Sequence, residues 1–103
     1  MPKYPMTEVI AFRDYTLASG PGHSTIHVEL GKPARAPEDS RSWYCPWTIT
    51  KAGDVHPFSA VGVDPLQALL LGLSSLRANL DLIAREGRLM LEGQQGTFIQ
   101  LVE

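Results

Sequence analysis

A chain of 103 residues, 44% hydrophobic and 19% charged, has the composition of one globular domain with a core of modest size. A formal net charge of −2 supplies no long-range attraction to nucleic acid or to an anionic membrane surface, so neither is expected as a partner. The single cysteine, Cys45, excludes an internal disulfide, and no apolar run approaches the ~20 residues of a membrane span, so the expected location is the cytoplasm.

Residues 1–6 carry Pro2 and Pro5, which resist helix, and lack the apolar centre of a signal peptide; they read as a flexible lead-in to a single domain spanning 1–103. Residues 7–17 are rich in β-branched and aromatic side chains and predict a first strand, bent near Arg13-Asp14 where the alternation slips. Gly20-Pro21-Gly22 is a turn. Beyond it, residues 24–30 alternate: Ile26, Val28 and Leu30 take one face, and Thr25, His27 and Glu29 the other. The two strands make a hairpin. Residues 31–42, with two prolines, three basic and two acidic side chains and no periodicity, predict a long surface loop.

Residues 43–50 predict a third strand, with Cys45, Trp47 and Ile49 on one face. A turn around Gly53 leads to a fourth over 55–63. A two-residue turn at Ala52-Gly53 is favoured, because it sets Ile49 opposite His56 and Trp47 opposite Phe58 and leaves Pro46 and Pro57 where neither owes the other strand a hydrogen bond. A three-residue turn with a bulge would flip the fourth strand's face. Two prolines in one hairpin point to a sheet edge or a bulge.

The strongest element is a helix over 65–86. Asp64 is a good N-cap, Pro65 suits the first helical position, Gln67 completes a capping box, and Gly87 is placed to close the helix in a left-handed conformation. Leu66, Leu69, Leu70, Leu73, Leu76, Leu80, Ile83 and Ala84 fill an arc of roughly 140° on a helical wheel, the expected core stripe. Ala68, Gly72 and Ser75 are small enough to allow close approach. Strands over 88–92 and 97–102, joined by a turn at 93–96, complete the chain. The fold class is α+β: an antiparallel sheet of about five or six strands, with one long helix on a face and a C-terminal hairpin.

Chemistry-bearing patterns are sparse. Cys45 could be a nucleophile only with a histidine beside it, and a lone cysteine on a core face reads first as structural. His23 and His27 sit about 13 Å apart on a strand, too far to share a metal, and no metal or cofactor is expected. No phosphate loop, dinucleotide fingerprint or nucleophile elbow occurs, so the balance leans away from an enzyme. Two site candidates remain. One is a small-molecule pocket near the 31–42 loop formed by Arg41, Trp43, Tyr44, Cys45 and His56. The other is a second helix seam, Leu71, Ser75, Ala78 and Leu82, which lies outside the core arc and suits a homodimer or another protein partner.

The strand residues Trp43, Cys45 and Pro46, followed by Gly62-Val63-Asp64-Pro65-Leu66-Gln67-Ala68-Leu69, resemble a family of short bacterial proteins defined as a domain of unknown function. The resemblance covers the middle half of the chain and implies a bacterial, cytoplasmic protein; it implies no activity. The leading expectation is a non-catalytic interaction protein, which in size and class fits an immunity or accessory role. The alternative is a ligand-binding protein or enzyme using the 31–42 pocket.

Overall fold

The computed structural model describes residues 3–100. Their elements are β1 (Val9–Ser19), β2 (Gly22–Gly31), β3 (Ala34–Ala36), β4 (Asp39–Lys51), β5 (Asp54–Gly62), the helix α1 (Pro65–Ile83) with a 3-10 turn over Ala84–Glu86, β6 (Arg88–Leu91) and β7 (Gln94–Gln95). All strand pairings are antiparallel, in one open sheet of seven strands with the helix packed on it. The α+β architecture is as expected; the strand count is higher, and the two places where it differs have local causes.

The first is the region read as a long loop. β5 pairs with β4 from Trp43 to Lys51 and occupies one edge of that strand. β2 pairs with Trp47 to Lys51 and β3 with Asp39 to Tyr44, so the two lie end to end along the other edge. Residues 31–42 are therefore mostly the far end of a long hairpin. The ladder breaks between β2 and β3 opposite Pro46, which has no N–H to give. Gly31 fits that break because a Cβ there would lie 2.8 Å from Pro46 Cγ and 2.6 Å from Thr7 Oγ1. A three-residue strand flanked by prolines leaves no readable alternation.

The second is the C-terminus. The turn is at Glu92-Gly93 (φ 50° and 82°), so the return strand is the two-residue β7, inside the stretch expected to be a turn. Residues 97–100 are not strand, and the rest of that expected strand lies outside the described residues.

The β4–β5 hairpin has the favoured register. Lys51 faces Asp54, Ile49 faces His56 and Trp47 faces Phe58, around a two-residue turn with Ala52 and Gly53 both at positive φ. β5 is an edge strand, which accommodates Pro57. Tyr15 and Leu17, Ile26 and Val28, and Cys45, Trp47 and Ile49 form the buried sheet wall with Leu89.

At the helix start the expected cap is present: Gln67 N–H donates to Asp64 Oδ1 at 2.7 Å, and Val63 N–H donates to Gln67 Oε1 at 2.7 Å. The buried stripe is rotated. Ala68, Gly72, Leu76 and Leu80 face the sheet, whereas Leu66 and Leu70 are 64% and 49% exposed, a shift of roughly 60° about the axis. The sheet already supplies bulk at this point. A Cβ on Gly72 would lie 3.0 Å from Cys45 Sγ, so only small residues fit over Cys45 and Trp47. Trp47, 2% exposed, donates its indole N–H to Asn79 Oδ1 at 3.0 Å, which fixes the rotation.

Gly87 does not close α1 in a left-handed conformation; its φ of 172° is extended. Its requirement is space: a Cβ would sit 2.3 Å from the Ala18 carbonyl oxygen. From Lys3 onward the N-terminal stretch runs over the outer sheet face. The Tyr4 ring lies against Tyr44, tilted by 41° with centroids 5.1 Å apart, Thr7 Oγ1 donates to the Lys32 carbonyl at 2.6 Å, and Lys32 N–H donates to the Glu8 carbonyl at 2.8 Å.

Candidate functional site

The five residues expected around the 31–42 region are spread over both faces of the sheet. Trp43 is half-buried on the helix side, where its cationic neighbour is Arg35, with the guanidinium carbon 4.9 Å from the ring centroid. Arg41 lies apart, its side chain 92% exposed and 3.7 Å from Asp39. Tyr44 is on the opposite face, buried, with its hydroxyl donating to the Pro5 carbonyl at 2.9 Å. Cys45 is fully buried; burial pushes its thiol up to about 11, and Sγ reaches only the Gly31 carbonyl, at 3.7 Å. That is an inert structural thiol. His56 pairs with Ile49, four positions along β4 from Cys45.

The outer face brings together a cluster that sequence reasoning left apart. His27 Nδ1 lies 2.6 Å from Asp14 Oδ1, and Nε2 lies 3.1 Å from Glu29 Oε2. Hydrogen bonding to Asp14, then to Glu29, holds the imidazole pKa above its ordinary value. The two carboxylates meet opposite sides of the ring, so they favour an imidazolium and cannot share one ion with it. Consistently, no group of three His, Cys, Asp or Glu among the described residues is arranged to hold a metal. The signal was the turn. A two-residue loop at Gly20-Pro21 pairs Ser19 with Gly22, and counting back from it pairs Asp14 with His27.

Both flanks of α1 carry features. On one, Leu71 and Leu82 are 43% and 56% exposed, and Ser75 and Ala78 between them are exposed as well. Leu82 also lines a cleft of about 370 Å³ between the helix and the β5 edge, with His56, Phe58 and Asn79. On the other flank, Leu73 and Leu76 wall an apolar cavity of about 290 Å³. Its sheet side is Tyr15, Val28 and Leu30, and the segment carrying Phe98 and Ile99 borders it. Arg13 lines the same cavity. Its Nη1 donates to the carbonyls of Phe98 (3.0 Å) and Thr97 (3.3 Å), and the Tyr15 hydroxyl donates to Thr97 at 2.5 Å. Phe98 holds φ at 53°, a conformation unusual for a bulky side chain. No helix among the described residues is long and apolar enough to cross a membrane.

A family model described as a domain of unknown function (DUF6968) matches residues 11–100, and the chain belongs to that family, as the sequence resemblance implied. No curated protein and no solved structure matches it.

Proposed function

We propose that this member of the family is a non-catalytic interaction protein that pairs with a second copy of itself through the α1 flank of Leu71, Ser75, Ala78 and Leu82. The observation that carries this is the spacing of four exposed residues. Steps of four, three and four are palindromic, so an antiparallel helix pair about a two-fold axis sets each Leu71 against the other copy's Leu82. Ser75 then meets Ala78, small against small, which permits close helix approach. The same axis sets Gln67 against Glu86, and none of the four seam residues is charged, so no like charges meet.

The neighbouring β5 edge contributes less. Val55, Pro57, Ser59 and Val61 point their backbone groups away from β4, and Pro57 has no N–H to offer a further strand. The contact is therefore helix to helix. Of the two sequence-based readings, the assembly role gains support from this pattern, and an accessory or immunity-type role in a bacterial cytoplasm is the setting it suits.

Sedimentation velocity tests the proposal. The expected result is a dimer for the wild-type chain and a monomer, with unchanged circular dichroism, for Leu71→Arg combined with Leu82→Arg. Wild-type protein that sediments as a monomer at high micromolar concentration, or a double variant that remains dimeric, overturns it.

A further inference from the structure

The cavity on the opposite flank of α1 has a composition that specifies a ligand. Val28 and Leu30 floor it, Leu73 and Leu76 wall it, and Phe98 borders it, all apolar. Among the described residues that line it, one carries a full charge, the half-buried Arg13. Apolar walls with a few polar groups, here Arg13, Tyr15 and Gln100, are the usual make-up of a small-molecule site, and 290 Å³ lies near the lower end of the usual size range of about 300–1,000 Å³.

Arg13 is already positioned. Its Nη1 is anchored on the Thr97 and Phe98 carbonyls, and the guanidinium carbon lies 5.9 Å from the Tyr15 ring centroid. Among the described residues, Nε and Nη2 make no hydrogen bond and no acidic side chain forms a salt bridge with Arg13. A guanidinium offers five donors in a planar fork that matches a carboxylate. The bordering segment carries the strained φ of Phe98, a device more often retained near a ligand than elsewhere.

We infer that this cavity binds a small carboxylic acid with an apolar body, the hydrocarbon lying between Val28, Leu30 and Leu73 and the carboxylate meeting Arg13. The site uses the other side of α1 from the assembly seam, so it stands or falls separately from the dimer.

The test is an NMR titration of amide-labelled protein with octanoate and, in parallel, octan-1-ol, which keeps the chain length and removes the charge. Octanoate is expected to shift amides around Ala11 to Tyr15, Leu73 to Leu76 and Phe98, and to bind at least tenfold more tightly than the alcohol. Arg13→Gln should weaken octanoate by about tenfold or more while leaving octan-1-ol unchanged. Arg13→Lys, which keeps the charge, should retain the preference for the acid. Val28→Phe fills the cavity and should abolish binding of both while the protein stays folded by circular dichroism. Absence of octanoate binding, equal affinity for acid and alcohol, or binding that survives Val28→Phe overturns the inference.

Discussion

His27 shows what one side chain can do on an open sheet face. Both ring nitrogens have a carboxylate partner, Asp14 across the hairpin and Glu29 two residues along the same strand. From the neighbouring β4 strand it faces Thr50, which carries no charge. Protonation joins the three groups, and loss of the proton leaves two carboxylates beside a neutral ring. The folded pKa is raised by Asp14 first and Glu29 second. The stabilisation is therefore fully present below the unfolded histidine value of about 6.5, and is lost as pH rises through the higher folded value. The thermal midpoint of the wild type should fall across that window, and that of His27→Gln should stay nearly flat over it. The amplitude will be small, because all three side chains are a third or more exposed and water screens the pair. A wild-type profile that rises with pH there, or matches that of His27→Gln, would contradict this account. Cys45 is the opposite case, a group that burial removes from chemistry.

At the scale of elements, the decisive contact is between α1 and β4. The helix was legible from its cap, its proline and its leucines, but its rotation was not. Leucine spacing pointed to Leu66 and Leu70 as core. Yet the sheet leaves room only for small residues at that level, Gly72 over Cys45 and Trp47 and Ala68 against Gly62. A wheel counts hydrophobicity on one element and is blind to the volume already present on the other. The indole of Trp47 completes the specification by donating to Asn79. Asn79→Ala removes the acceptor from a Trp N–H that the fold buries, which costs about 1–3 kcal/mol. Urea denaturation followed by Trp fluorescence should show the midpoint lowered accordingly. An unchanged midpoint would mean that the hydrogen bond does not set the helix orientation.

For the whole molecule, the edges of the sheet are where further chains could add. A seven-stranded sheet that does not close leaves β5 as one free edge, and Pro57 blunts it in the middle of its outward-facing row. Pro57→Thr restores the missing N–H and a β-branched side chain. Light scattering should then detect concentration-dependent association beyond the proposed helix-paired dimer, and association of the otherwise monomeric chain in the Leu71→Arg, Leu82→Arg background. If that variant stays monodisperse, the edge is protected by something other than the proline. The helix seam and the cavity lie on opposite flanks of α1, so the proposed assembly and the proposed ligand binding would not exclude one another.

By itself the sequence determined the elements whose causes are local. The alternation in β2 and β4 identified their part of the core wall, the Asp64–Gln67 cap started the helix, and the two-residue turn at Ala52-Gly53 set a hairpin register. It also pointed to a family of unknown function, which the match over residues 11–100 bears out at that level; Gly62, in the stretch that carried the resemblance, is a close-packing position, where a Cβ would meet the Ala68 amide nitrogen at 2.6 Å. What only tertiary structure decided depends on two segments meeting. These are the junction of β2 and β3 along one edge of β4, the rotation of α1, the crowding that makes residue 87 a glycine, and the grouping of Asp14, His27 and Glu29. The cavity belongs here too, since Arg13 and Phe98 are 85 positions apart in the chain. Each is fixed by volume and hydrogen-bond geometry between distant residues, and neither quantity is written in the periodicity of a single strand or helix.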